Sequence, residues 1–315
     1  MRHGGRTLQM IPFVESTIPM YDKIKKERYI KYMDLDFTAD LVTSAGTTSG
    51  TIATDSVLRL FDLIEIKAGS KTIFTMDGTN LHFVNQHEYG TPPPLLVPTS
   101  DDEATYPIHA RLRIDFRNNI GKYNPDTFLP AFAFNSLTMV IHFGAISSMI
   151  VGGDRVHAIA STFGITPYIY ETTEAPDVTW LRIRSLRDDV IAASQVNYPI
   201  DVPKGNQVYQ QMYFRTTDAG IRVADIINNI TLKTEATERP YEEITFDELQ
   251  TLNKFESGIE TVPTGFANLP LLEDGLAISG LDTMGLQEPS INANVTVGAG
   301  ATLIRTIFDH LEAYR

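Results

Sequence analysis

Cysteine is absent from the 315 residues. That excludes a disulfide framework, thiolate metal sites, iron–sulfur clusters and a cysteine nucleophile. Tryptophan occurs once, at Trp180. A β-rich adhesin or lectin would more often expose aromatic platforms. There is no Gly-x-Ser-x-Gly elbow; Gly144-Ala-Ile-Ser-Ser148 and Ser49-Gly50 read as turns. There is no phosphate loop either. Gly152-Gly153 is followed by neither a lysine nor a helix, and Gly298-Ala-Gly300 reads as a strand-to-strand turn. Positive charge is also short: 26 Lys and Arg against 39 Asp and Glu give a net −13. A protein that coats a phosphate backbone is normally basic, so direct, sequence-specific nucleic-acid binding is not expected. No secretory pattern follows the charged start. The uncharged stretch Thr127–Gly153 contains Pro130, Asn135, His142, Gly144, Ser147 and Ser148. It therefore reads as two buried strands and a turn, not as a membrane span.

What the chain does have is a period of two. Met33, Leu35 and Phe37 alternate with Asp34 and Asp36. Leu112, Ile114 and Phe116 alternate with Arg111, Arg113, Asp115 and Arg117. Leu181 and Ile183 alternate with Arg182 and Arg184, and Ile291, Ala293, Val295 and Val297 with Asn292, Asn294 and Thr296. Each pattern is a strand with one face to a core and one to water. Gly, Pro, Ser and Thr clusters such as Thr43–Ser56 separate them, the grammar of a sandwich or barrel. The best helix signal is the capping box Thr245-Phe-Asp-Glu248, followed by an apolar stripe of Phe246, Leu249, Leu252 and Phe255. Ser185–Ser194 also looks helical.

The strands recur in order. Ile64-Glu-Ile-Lys67 matches Ile230-Thr-Leu-Lys233, and Thr75-Met-Asp77 matches Thr245-Phe-Asp247. Tyr29–Phe37 matches Tyr209–Arg215. Arg111–Arg117 is set against Gly275–Ser279, Ala131–Gly144 against Ser290–Gly298, and Ile165–Glu174 against Leu303–Glu312. The spacing differs by the length of Thr43–Ser56, which reads as a surface excursion of the first copy. The expected division is an N-terminal arm at 1–20, a first jelly roll at 21–175, a connector at 176–204 and a second jelly roll at 205–315. Residues 1–31 carry seven Lys and Arg against Glu15, Asp22 and Glu27, a balance of +4, leaving −17 on the rest. That split suits contact between the arm and an anionic membrane or an acidic neighbour; a solvated tail is the plainer alternative.

His82, His87 and Glu88 form the only metal-like cluster. Their spacing sets the histidines about 140° apart on a helix and on opposite faces of a strand, so one ion cannot easily take both. It is neither His-Glu-x-x-His nor a cupin pattern. Asp101-Asp102-Glu103 and Glu242-Glu243 read as solvated loop charges, with a weak divalent cation at an interface as the alternative. No catalytic, cofactor-binding or metal residue is assigned, and no cofactor.

Three stretches resemble a known family: Ser56–Lys67 leading to Thr75–Leu81, Asp126–Gly144, and Val202–Thr216. They are similar to the double jelly-roll major capsid proteins of icosahedral viruses with an internal membrane, the adenovirus, tectivirus and corticovirus type, bacteriophages among them. The resemblance implies an all-β fold of two tandem jelly rolls with a few short helices. It implies a homotrimer that tiles a virion capsid shell with neighbouring capsomers and minor or penton proteins, and no catalysis. A bicupin-like or carbohydrate-active two-domain β enzyme remains the rival reading.

Overall fold

The computed structural model describes residues 4–21, 24–44, 46–117, 125–173, 180–233, 243–271, 280–284, 286 and 289–313. They form two compact units. The first comprises Met1–Gln86, Thr91–Arg117 and Phe128–Asp177; the second comprises His87–Gly90, Asn118–Thr127 and Val178–Arg315.

The strands up to the first helix are β1 (Gly4–Thr7), β2 (Ile11–Pro12), β3 (Met20–Tyr21), β4 (Tyr29–Ser44), β5 (Thr51–Ile52), β6 (Phe61–Ala68) and β7 (Lys71–Met76). Helix α1 spans Gly78–Tyr89. Then come β8 (Leu95–Leu96), β9 (Thr105–Asp115), β10 (Leu129–Pro130), β11 (Leu137–Phe143), β12 (Ile150–Val151), β13 (Val156–Ile159) and β14 (Gly164–Thr172). One sheet of the first unit runs β1-β14-β4-β9-β8 and the facing one β7-β6-β11-β3, all antiparallel.

In the second unit β15 (Trp180–Ile191), β16 (Gln195–Asp201), β17 (Gln207–Asp218), β18 (Ile221–Arg222), β19 (Ile227–Lys233) and β20 (Ile244–Thr245) precede helix α2 (Phe246–Ser257). The strands β21 (Phe266–Pro270), β22 (Leu281–Asp282), β23 (Ser290–Val295) and β24 (Thr302–Ala313) follow it. The sheets are β15-β24-β17-β21 and β16-β23-β19-β20. Numbering the eight strands of these two sheets by chain order, the sheets read 1-8-3-6 and 2-7-4-5, which is a jelly roll; β18 and β22 are short additions on β17. The first unit has the same order in β1, β3, β4, β6, β7, β9, β11 and β14.

Three details fix the correspondence. The ladder of β4 on β14 skips Lys31 at a bulge, and that of β17 on β24 skips Gln210 at the matching place. Ile64 faces Ile141 and Ile66 faces Met139, as Ile230 faces Ala293 and Leu232 faces Ile291. Each helix starts one residue after its cap, Asp77 or Thr245, whose side-chain oxygen accepts the third helical amide, of Asn80 or Glu248. The cap pairing slides the expected repeat by two residues: Asp77, not Thr75, is the counterpart of Thr245. The counterpart of Arg111–Arg117 is β21; Gly275–Ser279 lies outside the described residues.

Four expectations are corrected. Residues 4–21 are not a detached arm. They are the opening strands of the first roll, with β1 and β2 on β14 and β3 on β11. Ile11 and Phe13 anchor them in the core, Phe13 edge-on to Phe143 at 5.0 Å. Their counterparts are β15 and β16, so residues 180–201 open the second roll instead of connecting the two. Ser185–Ser194 is therefore not helical; β15 pairs along its whole length with β24. Finally, Phe255 leaves the helical stripe and is 89% exposed, whereas Phe246 and Leu249 are buried. Steps of three residues drift about 60° each on a helix, so nine residues carry Phe255 to the face opposite Phe246.

The Thr43–Ser56 excursion is tied down. β5 pairs with β12, the Ala53 amide donates to Met149 O, and the Asp154 carboxylate accepts from the Thr47 hydroxyl and the Thr48 amide. Gly153, at φ 78°, packs on Gly50, whose nitrogen lies 2.6 Å from where a Cβ would stand. Thr127–Gly153 contains β11, short 3-10 turns and β12. No helix among the described residues is long and apolar enough to cross a membrane.

Candidate functional site

The residues singled out for chemistry are dispersed. His82 is buried on α1 beside Phe83. His87 and Glu88 turn into the second unit and hold different partners. Ser148 donates to the Ala145 carbonyl and closes a turn, and Asp218 accepts the Gly300 amide in the turn between β23 and β24. Asp101 is not a solvated charge. It is 3% exposed and accepts from the Gly50 amide at 2.6 Å and from His157 Nε2 at 2.5 Å. Burial alone would raise its carboxyl; the hydrogen bonds from His157 and Gly50 outweigh that and hold it below the usual range. Glu243 accepts from Asn229, and Glu242 lies outside the described residues. Among the described residues no three His, Asp or Glu side chains converge as a metal site would require.

Among the described residues, a sealed constellation of four charges lies inside the second unit. Arg182 and Arg184 on β15, Asp309 on β24 and Glu88 in the last turn of α1 have side chains at most 1% exposed. Arg182 donates to Asp309 at 2.9 and 2.5 Å and to Glu88 at 2.8 Å; Arg184 donates to Asp309 at 3.1 Å and to Glu88. Burial works against the charged forms, but the two guanidiniums keep Asp309 below the usual carboxylate range, and Asp309 and Glu88 raise Arg182. Tyr213 beside them bonds Gln211, and burial pushes its phenol well up. The His87 ring packs edge-on to Tyr213 at 5.6 Å, and its Nε2 accepts from Asn268 Nδ2 at 3.2 Å. Burial lowers its pKa to about 4. The charges balance and are sealed, so the cluster offers a reactant no entry; it fixes a helix end to a sheet. The alternation at 181–184 placed both arginines toward water. Asp309, set among Ile307, Phe308 and Leu311 and opposite both arginines in charge, was the signal in the sequence.

The matching sheet face of the first unit is partly open. By register, Asp34 stands where Tyr213 does, Tyr32 where Gln211 does, Arg113 where Asn268 does and Tyr170 where Asp309 does. Asp34 is buried between Arg113, at 2.5 and 2.8 Å, and Arg111, at 2.7 Å. Tyr32 stacks on Tyr170 with centroids 4.3 Å apart, and the Arg113 guanidinium lies over Tyr32 at 4.1 Å. The arginine side chains remain 41% and 28% exposed at Arg111 and Arg113. This is a surface of tyrosine and arginine, the residue types enriched at the centres of protein interfaces.

No family model matches the chain, and no curated protein matches it in sequence. Solved structures are similar to it in fold. A chain of the Sulfolobus Turreted Icosahedral Virus is similar over 99% of this chain and 91% of its own, with TM-score 0.80 and 13% identity. The major capsid protein of Bacteriophage PM2 is similar over 100% and 98%, with TM-score 0.66 and 8% identity. The Faustovirus major capsid protein is similar over 99% and 90%, with TM-score 0.62 and 9% identity. The chain has the all-β double jelly-roll fold.

Proposed function

We propose that this chain is a major capsid protein, a tile of an icosahedral virion shell. The observation that supports it best is the likeness in fold to viral capsid chains along 99–100% of its length. A structural role is supported by the described residues: the ion cluster is sealed from substrate, and the nucleophile-like and phosphate-loop-like stretches are turns.

The finer reading is a homotrimer whose six rolls make a pseudo-hexagonal tile, in a shell with minor or penton proteins around an internal membrane. The basic opening segment, through Lys25 and Arg28, would face anionic headgroups or an acidic neighbour, salt-sensitively. Direct nucleic-acid contact is not part of the reading. Mass measurement by light scattering, with electron microscopy of concentrated protein, tests it. Trimers, sheets or shells are expected. A monomer at tens of micromolar, or stoichiometric bound zinc or iron, would sink it in favour of the enzyme alternative.

A further inference from the structure

The two helices are counterparts residue for residue. Both have 12 residues, and Asn85 and Asn253 occupy the eighth place in each. His87 and Glu88 therefore correspond to Phe255 and Glu256. In the second unit His87 and Glu88 cover the sheet face of Tyr213 and Arg184. Phe255 and Glu256 are both exposed, Phe255 at 89%. Phe255 is thus exposed at the place where its counterpart, His87, is half-buried against Tyr213, so it is free to make a contact outside the isolated chain. The sheet face that matches the one His87 covers is the half-open Tyr32–Asp34–Arg113 face of the first unit.

We infer that the end of α2, Phe255 with Glu256, docks on the Tyr32–Asp34–Arg113 face of a second copy of this chain. The inference rests on the capsid reading only in expecting copies to assemble. The chemistry fits. A phenyl ring meets stacked tyrosines and a guanidinium, favourable by aromatic and cation–π contact. The Glu256 carboxylate meets Arg111 and Arg113, as Glu88 meets Arg182 and Arg184. The cations come from a different strand, because Gly5 on β1 stands where Arg184 does on β15. The Tyr170 ring lies over Gly5, 3.3 Å from where a Cβ would stand, so the docking ring meets the Tyr32–Tyr170 stack and not a side chain of β1. The contact is heterologous: each copy carries one helix end and one face, so copies join head to tail and close into a ring when the rotation allows.

The test is mass measurement on the full chain and two variants, Phe255→Asp and, on the face, Tyr168→Glu; Tyr168 stands opposite Asp34. Neither side chain is in a core, so circular dichroism and the urea midpoint should match the parent. Each variant alone should need more than about tenfold higher concentration to assemble. Mixed, they should form a species of two chains, because each supplies the half that the other lacks. Glu256→Arg should weaken assembly in the same direction. Assembly of the parent that is indifferent to both variants overturns this contact and leaves the capsid reading standing. A parent that is monomeric at tens of micromolar overturns both.

Discussion

Asn85 and Asn253 close the same pair of hydrogen bonds in the two rolls. Asn85 Oδ1 accepts the Arg113 amide at 2.7 Å and its Nδ2 donates to the Arg113 carbonyl at 2.8 Å; Asn253 does both to Asn268, each at 2.7 Å. A carboxamide has one donor edge and one acceptor edge, like a peptide group, so each asparagine acts as a one-residue strand. It pairs with the side of β9 or β21 that faces away from β4 or β17 and satisfies backbone groups that would otherwise lack partners.

Replacing either asparagine with alanine should therefore cost more than a lost side-chain contact. Two backbone groups lose partners, at about 1–3 kcal/mol each. Asn253→Asp keeps the acceptor, loses the donor and sets a charge near the Asn268 carbonyl, so it should not rescue. Urea unfolding of Asn85→Ala, Asn253→Ala and Asn253→Asp checks this; midpoints equal to the parent would remove the strand-mimic role.

Stability should fall with acid before the carboxylates titrate. His87 is near 4 in the folded chain and 6.5 free. Between those values the unfolded chain binds a proton that the folded one refuses, so stability is full above pH 6.5 and drops by about 3 kcal/mol toward pH 4. His87→Leu should flatten that interval. Asp309, depressed in the fold, contributes above about pH 4 and is lost below it. Urea midpoints from pH 7.5 to 3.5 would separate the two; an unchanged slope in the leucine variant would assign the effect elsewhere.

Breaking the quartet with Asp309→Asn should cost about 3–5 kcal/mol, because Arg182 and Arg184 then share one carboxylate partner in the interior. Arg305→Gln, which removes a surface pair with Asp188 at 2.5 Å, should cost about 1 kcal/mol or less. Chemical denaturation of both variants reads the contrast, and equal losses would mean the quartet is not sealed from water.

Removing residues 1–20 should abolish the soluble protein rather than free a tail. It deletes β1 and β2, takes Ile11 and Phe13 from the core and bares the edges of β14 and β11. Expression and solubility of the truncation decide it. A folded, monodisperse product would restore the detached arm.

The duplicated plan was legible because strand faces obey a strict period. Ile64–Lys67 and Ile230–Lys233 occupy matching strands, with Ile66 and Leu232 buried in their cores. Boundaries were not legible. β1–β3 are short and paired only to distant residues, so nothing local marks them as strands. α1 escaped notice because Gly78–Asn85 are all buried, which erases the polar stripe that reveals a helix. The alternation Leu181–Arg184 gave the strand but not the burial of its arginines, since a ladder of two faces looks the same whether the second face meets water or a helix end. Phe255 looked like core because spacing by three was extended past the turn on which it holds.

The pairing of each roll's first strand with its last also sets a schedule. Arg6 bonds Glu171 across 165 residues of chain. At about 5–20 residues per second of synthesis, Arg6 waits roughly ten to thirty seconds before Glu171 exists. Until then the β14-facing edge of the nascent first roll is unclosed, with Phe13 short of its seat. Such non-local closure makes folding slow. The ribosome-bound chain is thus most exposed to aggregation just before residue 172 emerges, and holdase binding should peak there.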